Sequence, residues 1–155
     1  MKNTNQERLI LIERVLLLKA VSIFSETPES ILAEIAHLME EQTVEPNTNI
    51  VSEGEIGNCM YIIFQGNVKV HKENQTLAIL KEKSYFGELS LLDTETRSAD
   101  VTSLTDCILY KINQEPFFDL IDCRPEVMKA VMQNLSKRLR DANHKIFELS
   151  KEASH

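Results

Sequence analysis

Tyr85-Phe86-Gly87-Glu88-Leu89-Ser90-Leu91-Leu92-Asp93-Thr94-Glu95-Thr96-Arg97-Ser98-Ala99-Asp100-Val101 is the stretch around which the rest of the chain is organised. Its pattern is a turn, one short apolar helical turn, a polar loop and an extended return. Gly87 allows a positive φ or a close backbone approach. Glu88 to Leu92 can form a single helical turn, whose first N–H groups have no partner within the turn. Those donors, at the positive end of the helix dipole, suit an anion. Arg97 follows at a distance from which a folded loop returns it to the same place. Its guanidinium is planar, permanently charged and shaped to grip two oxygens of a phosphate. Glu88 would repel a phosphate, but as a pure acceptor it suits a hydroxyl such as a ribose 2′-OH. Helix-start donors, one arginine and one hydroxyl-seeking carboxylate together describe a site for a ribose phosphate.

Short strand-like segments surround this stretch. Thr43 to Glu45, Asn49 to Ser52, Met60 to Phe64, Asn67 to Lys72 and Gln75 to Leu80 precede it, and Asp100 to Leu104 and Cys107 to Ile112 follow. Turn residues punctuate them at Pro46-Asn47, Gly54 to Gly57, Gly66 and Lys72 to Asn74. All 4 glycines fall between Gly54 and Gly87, as a roll of short strands turning many corners requires. The flanks change period. Gln6 to Ala20 favours helix, with Leu9, Ile12, Leu16 and Leu17 on one face, widened by Ile10, Leu11, Val15 and Leu18. That excess fits either a surface for something beyond the domain or a helix folded back on the roll. Thr27-Pro28 supplies a capping hydroxyl and a first-turn proline for a helix running to about Glu41. Gln114 to Ile121 forms a short helix, and Pro125 opens a long one to about Leu149. Along the latter, Val127, Val131, Leu135, Leu139 and Ile146 make an apolar stripe, and Lys137, Arg138 and Arg140 lie off it on a solvated face. Residues 1–5 are expected to be unstructured.

The fold class is therefore α+β: one antiparallel, jelly-roll-like β-roll of about eight strands, flanked by N-terminal helices and a long C-terminal helix. The expected divisions are 1–22 as a helical extension, 23–149 as the domain and 150–155 as a tail. The length of 155 residues suits one such domain.

A formal net charge of −7 argues against nucleic acid and anionic membranes as partners. It also means that local donors, and not the overall field, must capture an anion. The 3 cysteines, Cys59, Cys107 and Cys123, have no metal-like spacing and suit a reducing, cytoplasmic setting. Leu9 to Val21, the most apolar run, carries Glu13, Arg14 and Lys19 and is too short and charged to span a bilayer. His37, His71, His144 and His155 are scattered and are expected at the surface, so neither a metal nor a haem site is indicated. No activated nucleophile or acid–base pair points to an enzyme.

The run Phe86-Gly87-Glu88-Leu89-Ser90-Leu91-Leu92 with Arg97-Ser98-Ala99 resembles the phosphate-binding cassette of cyclic nucleotide-binding domains, in order and without insertion. The segment from Glu53-Gly54 to Gly66-Asn67-Val68-Lys69-Val70 resembles the β-roll of the same family, and the likeness extends over about residues 20–145. What the resemblance implies is a regulatory domain whose ligand is cAMP in preference to cGMP, with no cofactor. Arg97, Ser98, Ala99, Leu89 and Ser90 would lie near the phosphate, and Gly87 and Glu88 near the ribose. The base contact would come from the last helix, where Gln133, Asn134, Arg138 and Asn143 are candidates. Ligand would pull the cassette inward, the final helices would close over the base, and output would pass to a fused domain or a second copy docked on the C-terminal helix. No helix-turn-helix is expected in the stretch from Ser150 to His155.

Two positions depart from the family pattern. Thr96 stands where proline is frequent, which leaves the loop less preset. Asp100 stands where a neutral residue is usual, and could compete for Arg97, repel a phosphate or point to solvent. A different outcome is a degenerate domain of the same fold that binds no ligand and serves as an interaction module.

Overall fold

The computed structural model describes residues 2–154. Its strands are β1 (Glu40–Val44), β2 (Asn49–Val51), β3 (Cys59–Gln65), β4 (Val68–Lys72), β5 (Gln75–Leu80), β6 (Tyr85–Phe86), β7 (Asp100–Ser103) and β8 (Cys107–Asn113). They form two four-stranded sheets, ordered β1-β8-β3-β6 and β2-β7-β4-β5. Every strand pair is antiparallel. The expected β-roll is present. The two-residue β6 was not anticipated, because its sequence carries no alternation to detect.

The alternation along β3 explains the layering. Met60 and Ile62 project into a core shared with the helices, together with Tyr110 and Ile112 of β8. Cys59, Tyr61 and Ile63 project the other way, into a second core with Val51, Val68, Val101 and Leu109. The central strands β3 and β8 of the β1-β8-β3-β6 sheet thus form a middle layer buried on both faces, while β1 at its edge is exposed or half-buried, which is why β3 is an almost unbroken apolar run.

Helices cover its outer face: α1 (Lys2–Lys19), α2 (Glu29–Ala36), α3 (Gln114–Cys123) and α4 (Glu126–Ala153), with a 3-10 turn at Ser22–Phe24 between α1 and α2. α1 begins at Lys2, so the expected unstructured start is helical; Met1 and His155 lie outside the described residues. α1 folds back on the core of the domain along one face and leaves apolar side chains exposed on another. Leu17 and Leu18 are buried, with Leu11 and Val15 packed against the same core, while Leu9, Ile12 and Leu16 are exposed.

α2 departs from expectation at both ends. Pro28 precedes the helix with an extended ψ of 147°, and Thr27 makes no cap; its hydroxyl is buried without a partner. The helix stops at Ala36 because Glu40 is already paired with Lys111 in β1–β8. Arg14 of α1 donates to the carbonyls of Ala36 and Met39 at the end of the helix, at 3.3 Å each, and lies over the Tyr110 ring. α4 runs past Leu149 to Ala153. Val127 and Val131 of its stripe are buried, but Leu139 and Ile146 are exposed, with Phe147 and Leu149 beside them.

Phe117 of α3 is fully buried and packs edge-on against Phe24 at a centroid distance of 5.9 Å. Phe117→Ala is expected to lower unfolding stability by about 3–5 kcal/mol in a urea titration. A loss below about 1 kcal/mol, the size of an average substitution, would show that the helical core does not depend on this contact.

Candidate functional site

The cassette is anchored in both cores. Phe86, at the end of β6, stacks on Tyr61 at 5.1 Å in the inter-sheet core. Leu91 is fully buried in the helical core. Between them Gly87 adopts a φ of 76°, and Glu88–Leu91 form a 3-10 turn. The turn was expected to leave its first N–H groups free. Its tighter winding takes one of them back, since the Ser90 N–H donates to Gly87 O at 3.0 Å. Among the described residues, the Leu89 and Ala99 N–H groups find no acceptor. Burial, with Cys59 beside it, holds the Tyr61 phenol above its ordinary range.

Arg97 arrives by a short zipper. Gly57 N–H donates to Glu95 O at 2.8 Å, Arg97 N–H to Glu55 O at 2.7 Å, and Gly54 N–H to Arg97 O at 2.9 Å. Ile56 and Thr96 face each other between these bonds. The Thr96 N–H takes no part in them, and the loop is held without a proline there. The Arg97 guanidinium then meets only neutral acceptors. Nη1 donates to Ser90 Oγ at 2.9 Å, and Nη2 donates to Cys59 O at 2.8 Å and to Cys59 Sγ at 3.3 Å. Its Nε–H and part of the capacity of Nη1 have no protein acceptor among the described residues, so donors remain for an anion. Among the described residues no acid lies within 4.0 Å of it.

Two glycines make room for this group. A methyl group at Gly57 would come within 2.5 Å of Ser90 Oγ and 2.9 Å of Arg97 Nε. One at Gly87 would overlap Arg97 Nη1 and press on Cys59 O at 3.1 Å. The glycine of the cassette is therefore needed for its backbone angle and for its missing side chain alike.

Over this floor lies a cavity of about 590 Å³ bordered by Gly87, Glu88, Leu89, Ser90, Arg97, Ser98 and Ala99, all seven residues expected at the site. Val51, Val70, Phe86, Val101 and Leu135 give it apolar walls. That size and mixture, mostly apolar with a few converging polar groups, are those of a small-molecule site.

Other residues fall differently from expectation. Of the helix α4 only Leu135 borders the cavity; Gln133, Asn134, Arg138 and Asn143 do not. Asn134 is buried, with its Oδ1 unpartnered. Arg138 is not on a solvated face: it is half-buried and donates to Glu88 Oε1 at 3.3 Å. Asp100 neither binds Arg97 nor faces solvent. Its Oδ1 accepts the Glu53 N–H at 2.7 Å, and Oδ2 lies 4.0 Å from His71 Nδ1. His71 is half-buried and not a surface residue, and its ring nitrogens lie 3.0 Å from Glu73 O and 2.8 Å from Thr102 Oγ1. Among the described residues no three His, Cys, Asp or Glu side chains converge as a metal site would. Gln114, at the head of α3, was overlooked. Its Nε2 donates to Ser90 O at 3.2 Å, and its Oε1 accepts the Thr94 hydroxyl at 3.0 Å, which clamps the cassette to α3.

Residues 41–123, more than half of the chain, match the family described as cyclic nucleotide-binding domain. The chain belongs to that family. It is 33% identical over 106 residues to the cAMP-dependent protein kinase regulatory subunit of Yarrowia lipolytica, covering 67% of this chain and 28% of that one. It is 26% identical over 138 residues to the CRP-like cAMP-activated global transcriptional regulator of Mycobacterium tuberculosis, covering 86% and 62%. The N-terminal domain of a transcriptional regulator from Streptomyces coelicolor superposes with a TM-score of 0.79 at 28% identity, over 84% of this chain and 94% of that one. The chain thus spans less than two thirds of the length of either curated relative. No helix among the described residues is long and apolar enough to cross a membrane.

Gly54 and Gly87 both have positive φ, but a methyl group at Gly54 meets open space. Gly54→Ala should cost about 1–2 kcal/mol of stability, the strain of a left-handed residue alone. Gly87→Ala should cost more, up to about 3 kcal/mol or beyond, because it must also displace the guanidinium. Equal losses in chemical denaturation would show that contact with Arg97 does not constrain Gly87.

Proposed function

We propose that this chain is a regulatory domain that binds a cyclic nucleotide, cAMP in preference to cGMP. The observation that carries this reading is the state of Arg97: a half-buried guanidinium bordering a cavity, held on a hydroxyl, a carbonyl and a thiol, with no acid to neutralise it. A cyclic phosphate bound there would be gripped by Arg97 and by the Leu89 and Ala99 N–H groups. The ribose 2′-hydroxyl would meet Glu88, and the purine would lie along the apolar wall beneath Leu135. The preference for cAMP draws on kinship with two proteins whose names carry cAMP, while relatives named for cGMP match at similar identity. Ser98, exposed beside the cavity, offers a hydroxyl that a guanine could use, which keeps cGMP as the competing ligand.

Output follows from the same geometry. Leu135 belongs to α4, so a base packing under it draws on the position of that helix. The exposed apolar residues Leu139, Ile146, Phe147 and Leu149 farther along α4 offer a docking stripe for a second copy or a fused domain. A shift of α4 on binding would be a change of population between two seatings of the helix. That stripe equally supports a second reading, an interaction module that binds no nucleotide and docks through α4 alone.

Calorimetric titration of the full chain with cAMP and with cGMP separates the two. Binding is expected, tighter for cAMP. Arg97→Ala should weaken it by about one to two orders of magnitude, the equivalent of one charge-assisted bond of about 1.5–3 kcal/mol. No heat with either nucleotide at millimolar concentration would leave the interaction-module reading standing in its place.

A further inference from the structure

α1 carries an apolar face that neither core absorbs. Leu17 and Leu18 are buried, and Leu11 and Val15 pack on the helical core. On another side of the helix Leu9, Ile12 and Leu16 are 63%, 54% and 59% exposed. Spacings of three and four residues set these three in one row. That row has the period of a coiled-coil seam. At Leu16 it meets a cavity of about 630 Å³, also bordered by Glu13, Ala20, Phe64, Glu82 and Lys83.

The two flanks of the row carry opposite charges. Arg8 stands just before Leu9 on one flank, and Glu13 just after Ile12 on the other. Both are exposed, and among the described residues neither makes an ion pair. In a parallel pair of helices, the residue before one seam position lies beside the residue after the next seam position of the partner helix. Arg8 of each copy then faces Glu13 of the other, twice over by symmetry. An antiparallel pair sets each flank against itself, so Arg8 and Glu13 cannot meet. The row is one side chain wide, closed by Arg8 on one side and by Gln6 and Glu13 on the other. That width suits two helices, although leucine and isoleucine in this order also occur in larger bundles.

We propose that the exposed face of α1 is an interface with a second copy of this chain: two α1 helices pack in parallel through Leu9, Ile12 and Leu16, held in register by reciprocal Arg8–Glu13 pairs. Charge complementarity selects the occupant, since α1 supplies both halves of each pair and needs no other protein to match them. The interface is separate from the stripe on α4 and does not depend on nucleotide binding. Three apolar side chains per copy make a small seam, so the dissociation constant is expected on the order of 10–100 µM.

Sedimentation equilibrium of the full chain, without nucleotide, tests this. A reversible dimer is expected. Ile12→Asp should raise its dissociation constant by about tenfold or more, with thermal melting showing the domain still folded. Should I12D not fold, Ile12→Ser probes the same contact. Arg8→Glu and Glu13→Arg should each weaken association by about tenfold, since each turns two attractions into two repulsions. An equimolar mixture of those two variants should associate like the unaltered chain, because each copy then supplies the charge that the other lacks. A chain that stays monomeric up to about 500 µM, well above the expected constant, overturns the proposal. So does association indifferent to the Ile12 change, or a mixture no better than either charge variant alone. Association lost in Leu139→Lys but kept in I12D would place the contact on α4 and overturn it as well.

Discussion

An arginine resting on neutral oxygens is the contact on which this site depends. Arg97 sits in a chain of net charge −7, yet its guanidinium is satisfied by a serine hydroxyl, a backbone carbonyl and a thiol. Had an aspartate or glutamate taken that place, the positive charge would be spent within the fold, and an arriving anion would have to break an ion pair. Neutral acceptors fix the group's orientation and leave its charge uncompensated. Two glycines are required to bring the backbone close enough for this, and the loop that carries Arg97 is stitched to the preceding turn by main-chain bonds at both ends. The effect is preorganisation: the donors are aligned before any ligand arrives, so little ordering remains to be done on binding.

The cassette can be held so firmly because it is pinned in two cores at once. Phe86 belongs to the inter-sheet core and Leu91 to the helical one, with the four residues between them exposed to the cavity or bordering it. The central strands β3 and β8, buried on both faces, are the common wall of the two cores. A displacement of the cassette therefore disturbs both the helical layer and the roll. Gln114 ties it to α3, and Arg138 ties it to α4 and to the turn after α1. The contacts that hold the site are also the contacts through which the helices are joined to it.

Much of this was legible in the sequence, and the reason is local. The spacing from Gly87 to Arg97, the punctuation by glycine and the short alternating segments depend on near neighbours, and all seven cassette residues expected at the cavity border it. What escaped reading depends on distant chain. The acceptors of Arg97 include main-chain and thiol atoms of Cys59, 38 residues away, and a carbonyl leaves no trace in residue type. Arg138 looked like one of three solvated bases because its partners, Ser22, Tyr85 and Glu88, come from remote elements. Asp100 looked like a threat to Arg97, but the return strand turns it to the Glu53 amide. The capping role given to Thr27 failed for the opposite reason: tertiary packing buried its hydroxyl and overrode a sound local preference.

The central claim, that Arg97 is poised for a cyclic phosphate, is tested most directly by following its side-chain Nε–H resonance in a nitrogen-labelled sample during titration with cAMP. The account predicts a saturable shift of that resonance, together with the Leu89 and Ala99 amides, and no comparable shift with adenosine, which lacks the phosphate. Saturable binding of cAMP that leaves the Arg97 resonance unmoved would contradict it.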